Sequence, residues 1–312
     1  MTETGVTWLL DSDPSIRWQV MRDLTGEPDE VVAAERARVA THGWGARLLA
    51  LRDPDGQWAG GALFPAAAPW GPGQPWTATQ WAMILLKDLG LHPHSPEARE
   101  TVELVRDNCR WEHAGERFFD GEVEPCINGR TVGIGAYFGA DVDEIVGRLL
   151  TEQMDDGGWN CEQEHGSTRG SFHTTINVLE GLLAYEDAHG AHPEVTAARR
   201  RGEEFLLARR LQRRLSTDAV IDPRWARFSF PTRWRYDVLR GLEYLRSARA
   251  EPDQRVHEAL ELVEAKRDAE GRWPLEHTHQ GDVHFHMEEE GQPSRWNTLR
   301  AMRVLRWAGA TL

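Results

Sequence analysis

The chain has 312 residues, with 36 Lys and Arg against 50 Asp and Glu, a formal charge of −14, three Cys and fourteen Trp. So acidic a surface repels phosphate backbones and anionic membranes, which removes the general electrostatic drive for nucleic-acid binding. Three Cys argue against a disulfide scaffold, and apolar runs such as Ala82–Leu86 fall far short of the ~20 residues of a membrane span. With no basic stretch at its start, the chain reads as cytoplasmic, with no membrane insertion.

Taken in order, the sequence alternates two kinds of helical segment. A short piece, Val6–Asp11, precedes a helix opened by Pro14-Ser15-Ile16-Arg17-Trp18. A charged stretch at 28–51 ends on Asp55-Gly56-Gln57-Trp58, and Pro65–Pro75, holding Trp70, reads as an ordered loop. The apolar segment Trp76–Leu89 is followed by a charged one at 95–110. Arg130–Gly139 is apolar again, and 141–154 is charged and closes on Asp156-Gly157-Gly158-Trp159. Ser171–Glu186 is apolar, while 194–214 is rich in Arg and Glu. Pro231-Thr232-Arg233-Trp234 opens the next helix, 253–267 ends on Glu270-Gly271-Arg272-Trp273, and Pro293-Ser294-Arg295-Trp296 opens the last. Ser or Thr in these openings is a natural N-cap.

Six more apolar helices therefore start near 14, 76, 130, 172, 232 and 294, interleaved with charged ones. No segment alternates as a strand does. Such a repeat predicts an all-α (α/α)6 toroid, six inner parallel helices wrapped by six outer ones, as a single domain over 1–312.

In such a ring the inner N-termini share one rim, each with about +0.5 of an elementary charge. Arg17, Arg130, Arg233 and Arg295 fall in four first turns, so the rim suits a carboxylate or phosphate; alternatively these arginines pair with Asp13 or Asp237. Cys126, Cys161 and His173 share one sector, where two thiolates and an imidazole would make an open zinc site. The other reading packs the thiols as small hydrophobes, with His173 capping or acting in acid–base chemistry. His277, His279, His284 and His286 precede the last inner helix, as ligands, as a base, or as a polar loop over the cavity mouth. Tyr236, one turn inside the fifth inner helix, is a proton donor or a buried structural tyrosine.

The stretch Gln153-x-x-x-Gly157-x-Trp159 resembles the repeat of the terpenoid cyclase and protein prenyltransferase superfamily. Two further copies keep Gly56/Trp58 and Gly271/Trp273, with Arg52 and Arg267 in the Gln position. The resemblance implies the same toroid, with the tryptophans as staples between repeats. The closest match to the Asp-x-Asp-Asp acid of polyene-protonating cyclases is Asp141-Val142-Asp143-Glu144, at a helix start where acids simply favour the N-terminus. Ser171-Phe172-His173-Thr174 resembles the start of the last zinc-ligand helix of prenyltransferase β-subunits, whereas Cys126-Ile127-Asn128-Gly129-Arg130 lacks their Asp-x-Cys pair.

The resemblance implies a cyclase- or prenyltransferase-like enzyme acting on a small, partly hydrophobic, anionic substrate in the cavity. In a zinc-free variant His173 and Tyr236 are catalytic as base and acid, with Arg233 and Arg295 stabilising developing negative charge, and Arg130, Asn128, Trp76, Trp234 and Trp296 bind substrate. Cys126, Cys161 and His173 would hold zinc, and no nucleotide cofactor is expected. Two alternatives stay open: an acid–base polysaccharide lyase on the same scaffold, and a non-catalytic toroid that binds a ligand or protein.

Overall fold

Three Gly-x-Trp turns punctuate a computed structural model that describes residues 3–249 and 251–310. Among the described residues there are thirteen α-helices and one two-stranded antiparallel ribbon, Trp273–Pro274 with Pro293–Ser294. The helices are α1 (Glu3–Leu10), α2 (Pro14–Val20), α3 (Asp29–Ala37), α4 (Gly43–Leu49), α5 (Thr79–Leu89), α6 (Pro96–Asn108) and α7 (Pro125–Phe138). They continue with α8 (Asp143–Thr151), α9 (Phe172–His189), α10 (Pro193–Ala208), α11 (Val238–Ala248), α12 (His257–Glu264) and α13 (Arg295–Trp307). The chain forms two compact units: the first holds residues up to Arg36, Glu203–His279 and Met287 onward, and the second Ala37–Gly202 and Gln280–His286. Among the described residues no helix is long and apolar enough to cross a membrane.

The three turns share one construction. The indole N–H of Trp58, Trp159 and Trp273 donates to the carbonyl of Leu48, Leu149 and Val263, at 2.9, 2.7 and 2.7 Å. The backbone N–H of the same tryptophans donates to the hydroxyl of Thr79, Thr175 and Thr298, at 3.1, 3.0 and 2.9 Å. Each tryptophan thus ties the charged helix before it to the apolar helix after it, α4 to α5, α8 to α9 and α12 to α13. Glycine is needed for a steric reason. A Cβ on Gly56 would lie 2.3 Å from that of Leu104, and one on Gly157 2.5 Å from the Arg201 carbonyl oxygen, and both residues have φ near +90°, where a side chain is strained. The preceding Gln or Arg reaches the next charged helix in two copies: Gln153 donates to the Ala198 carbonyl, and Arg52 to Glu100 and Thr101. In the third copy Arg267 pairs with Glu264 instead.

Helix boundaries depart from expectation where tertiary contacts intervene. The segment at 28–51 is two helices, α3 and α4, joined by a 3-10 turn, and Gly43 with positive φ makes the break. The helix expected from 76 begins at Thr79, because the Trp76 amide is bound to the Asp282 carbonyl at 2.8 Å. The one expected from 130 begins at Pro125, a residue suited to the first helical position. The one expected from 232 begins at Val238, since Arg233 has φ 57° and Asp237, not Thr232, caps the helix. At α2 the cap is likewise Asp13, which accepts from the Ser15 amide, whereas Ser294 caps α13 as expected.

Candidate functional site

In the second unit, α7 and α9 meet backbone to backbone. A Cβ added to Gly181 would stand 2.1 Å from the Gly129 carbonyl oxygen, and one on Gly129 2.6 Å from that of Asn177. This contact brings the N-terminal ends of the two helices together. Glu124 is the N-cap residue of α7 and Cys126 stands in its first turn. A carboxylate oxygen of Glu124 and the Sγ atoms of Cys126 and Cys161 lie within 4.8 Å of one another. The Cys126 thiol donates to Glu124 Oε2 at 3.4 Å, and Cys161 Sγ is 3.5 Å from Thr174 Oγ1 in α9.

Electrostatics divides the two thiols. A hydrogen bond from Cys161, helped by the charge of Arg130, holds Cys126 below the ordinary thiol value against burial and Glu124. The same bond, together with burial, pushes Cys161 up. Of the two, Cys126 is therefore the thiol that ionises more readily, giving up its bond to Glu124 as it does so. His173 sits half-buried in the first turn of α9, where its carbonyl accepts from Asn177 Nδ2 at 2.6 Å. It stands outside the three groups that share the 4.8 Å cluster.

Other expected residues of this unit are engaged with partners of their own. Arg130 is buried, donates from Nε to Gln80 Oε1 at 3.1 Å, and lies over the Trp81 ring at 4.9 Å. Trp76 meets Trp81 edge-on at 4.8 Å and donates its indole N–H to the Gln280 carbonyl. Asn128 uses both ends of its amide on Glu122: Nδ2 donates to the carbonyl and Oδ1 accepts from the N–H, each at 2.7 Å. It thereby holds the loop that delivers Glu124 and Cys126. His284 donates from Nε2 to the Thr77 carbonyl at 2.9 Å.

The first unit holds the remaining expected residues, several in other roles than those expected. Tyr236 lies before α11, not a turn inside it, and its buried hydroxyl donates to the Leu211 carbonyl at 2.7 Å while the ring packs on Trp225. Burial, with Asp237 beside it, drives its pKa well above the ordinary tyrosine value. Arg233 and Trp234 also fall in this loop, with Arg235 stacked on Trp234 at 4.3 Å. Arg17 pairs with Glu35 at 3.2 Å. Arg295 lies over the Trp8 ring and donates to the Asp11 carbonyl. Trp296 is buried and stacks on Phe230 with centroids 4.1 Å apart.

Two residues of consequence escape the sequence reading. Glu124 is one acid in a loop with no motif around it. Glu288 lies in the run Glu288-Glu289-Glu290, yet its carboxylate accepts from the Arg295 and Trp296 amides and from the Ser294 hydroxyl. The N-terminus of α13, expected to be open to an external anion, is thus filled by the chain's own carboxylate. The spacing of an acid six residues before a Ser-capped helix is the only signal the sequence carries.

No family model matches the chain. Among curated proteins it is similar to lanosterol synthase from Mus musculus, 30% identical over 149 aligned residues. That match takes in 38% of this chain and 19% of the synthase, so the chain spans about a fifth of the length of the curated relative it matches. The similarity is distant, and it agrees with the terpenoid cyclase side of the resemblance read from Gln153–Trp159.

Proposed function

We propose that the chain is a terpenoid-cyclase- or prenyltransferase-like enzyme for a small, partly hydrophobic, anionic substrate, with Glu124, Cys126 and Cys161 as its reactive centre. The observation that carries this reading is the meeting of two thiols and a carboxylate at the start of α7, with Cys126 held toward its thiolate. The charge of Arg130 reaches Cys126 and would favour the anionic end of such a substrate, while Trp76 and Trp81 are buried and back Arg130. The six-plus-six toroid belongs to the same reading, supported by the thrice-built Gly-x-Trp turn.

The donor set suits zinc, which takes thiolate and carboxylate ligands and in open sites keeps one position for substrate or water. Glu124, Cys126 and Cys161 would hold the ion with the fourth position left to water or substrate, and His173, the ligand read from the sequence, stands outside these three. Bound there, zinc supplies Lewis-acid polarisation or activates a water or thiol. Asn128 holds the Glu122–Cys126 loop against α7, and Thr174 orients the Cys161 thiol. Tyr236 has no part as proton donor in this reading, because its hydroxyl is spent on Leu211. An acid–base lyase that depended on it would lack its acid.

The test is metal content by mass spectrometry on tag-free protein, beside Cys126→Ala and Cys161→Ala, with product analysis on prenyl diphosphates and polyenes. The expected result is stoichiometric zinc, lost in both variants while circular dichroism is unchanged, and turnover that falls with it. Metal-free protein whose turnover is indifferent to both thiols would overturn the reading.

A further inference from the structure

A second group of polar side chains gathers in the first unit, around His277 and His279. Arg227 Nη2 donates to His277 Nδ1 at 2.8 Å, which places the His277 proton on Nε2. The two imidazoles meet edge to face with centroids 4.9 Å apart. Ser229 donates to Asp237 at 3.4 Å, so His279 Nε2, 3.1 Å from Ser229 Oγ, is itself the donor to that hydroxyl. The neighbouring loop is clamped by Arg240, whose Nη1 donates to the carbonyls of Arg233 and Arg235 at 3.2 and 2.7 Å.

This group is rich in donors and short of acceptors. Among the described residues the guanidinium of Arg235 has no hydrogen-bond or ion-pair partner, only the face of Trp234. The polar partner of Arg227 is His277, and His277 Nε2–H has none. The charge that reaches Arg235 is of its own sign: burial and Arg224 push its pKa down. Burial, then Arg227, with a further contribution from Arg235, also holds His277 below the ordinary imidazole value, so near neutral pH it is an uncharged donor. The opposing carboxylate is Glu290, whose Oε2 accepts from the Thr278 amide at 2.7 Å.

We propose that Arg227, Arg235 and the Nε2–H of His277 form a binding site for an oxyanion, the phosphate or carboxylate end of a small molecule. Guanidinium forks and a neutral imidazole donor are matched to such oxygens, and the half-burial of Arg235 and His277 strengthens the bonds they would make. The preset tautomer of His277 and the clamped 233–235 loop mean that little order is lost on binding. The site stands on residues of the first unit and does not depend on the thiol centre.

Calorimetric titration of the full chain with inorganic phosphate, inorganic diphosphate and succinate tests it. At least one should bind at about 1 mM or tighter, and Arg227→Gln and Arg235→Gln should each weaken it about tenfold. Preference for the phosphates assigns a phosphate ester, and preference for succinate a carboxylate. Glu290→Gln should tighten binding by about threefold, which gives a gain-of-affinity readout should Arg235→Gln fail to fold. Cys126→Ala should leave the affinity unchanged, so failure here and failure of the zinc reading are separable. Silence toward all three anions at about 10 mM, or affinity that survives in Arg227→Gln/Arg235→Gln, would overturn the proposal.

Discussion

Two helix pairs, one in each unit, are held together by opposite means. In the second unit α7 and α9 touch through Gly129 and Gly181, with hardly a side chain between the backbones. In the first unit α11 and α13 are joined by buried charge. Arg300 donates to Glu243 at 2.6 Å and to the Ser229 carbonyl at 3.0 Å, and stands 3.9 Å from Asp237. Arg303, one turn on, meets Asp23 and donates to Gln19, both brought by the chain at and beyond α2. Both pairs are continuous helices in an apolar-looking slot of the repeat. One pair is sensitive to volume, the other to charge.

Substitutions should separate the two. The largest effect is expected from Gly181→Leu: with a backbone oxygen 2.1 Å from the Cβ position, the helices must part. A loss of about 4 kcal/mol or more is expected in denaturant unfolding, and a small loss would show that α7 and α9 can slide. Next come Trp159→Ala and Trp273→Ala, one in each unit, at about 3–5 kcal/mol each. Because both turns have the same bonds, the two costs should agree within about 1 kcal/mol; a wide gap would mean that the turns are alike only in outline. Arg300→Met should cost about 3 kcal/mol by removing a buried cation from Asp237 and Glu243, which leaves Glu243 with Arg303 at 3.8 Å. Adding Glu243→Leu should restore part of this, which double-mutant unfolding would reveal.

A further contrast concerns pH. His279 is held down to about 3, by burial first and then by His277 and neighbouring arginines, against 6.5 for a free imidazole. Between those values the unfolded chain binds a proton that the folded chain refuses, so stability rises with pH in that window. The contribution is complete above 6.5 and is lost as pH falls toward 3. His279→Gln should flatten this part of the acid limb, while the glycine contact, which has no titratable group, should not alter it. An acid limb unchanged by His279→Gln would place the proton uptake elsewhere.

Much of the helical plan is legible in the sequence because glycine and tryptophan mark the same joint three times. Where the reading slips, the cause lies in contacts remote in the chain. Trp76 is drawn out of its helix by Asp282, and the start of α11 is set by Arg233 at positive φ and Asp237 at the cap. The second slip carries Tyr236 with it: a residue assigned to a helix face lies in the loop before that helix, with its hydroxyl turned to Leu211. The meeting of Cys126 with Cys161 follows from adjacent repeats and could be anticipated. Glu124 could not, because nothing in the chain distinguishes it among 50 acidic residues. Arg227 and Arg235 escape for a related reason: their meaning lies in having no carboxylate partner among the described residues, and sequence spacing does not record that.

The clamp made by Asn128 has a consequence for the ageing of the protein. Asn128 is followed by Gly129, the neighbour that least hinders attack of a backbone nitrogen on the asparagine side chain to form a succinimide. Within α7 that nitrogen is fixed in the helix, and both ends of the amide are occupied by Glu122. Deamidation at this position is therefore gated by opening of α7. Its product, an aspartate or isoaspartate, could no longer donate to the Glu122 carbonyl and would release the loop that carries Glu124 and Cys126. The durability of the thiol centre is set by how seldom one helix unfolds, so storage lifetime should track the local stability of α7 more closely than oxidation of the thiols themselves.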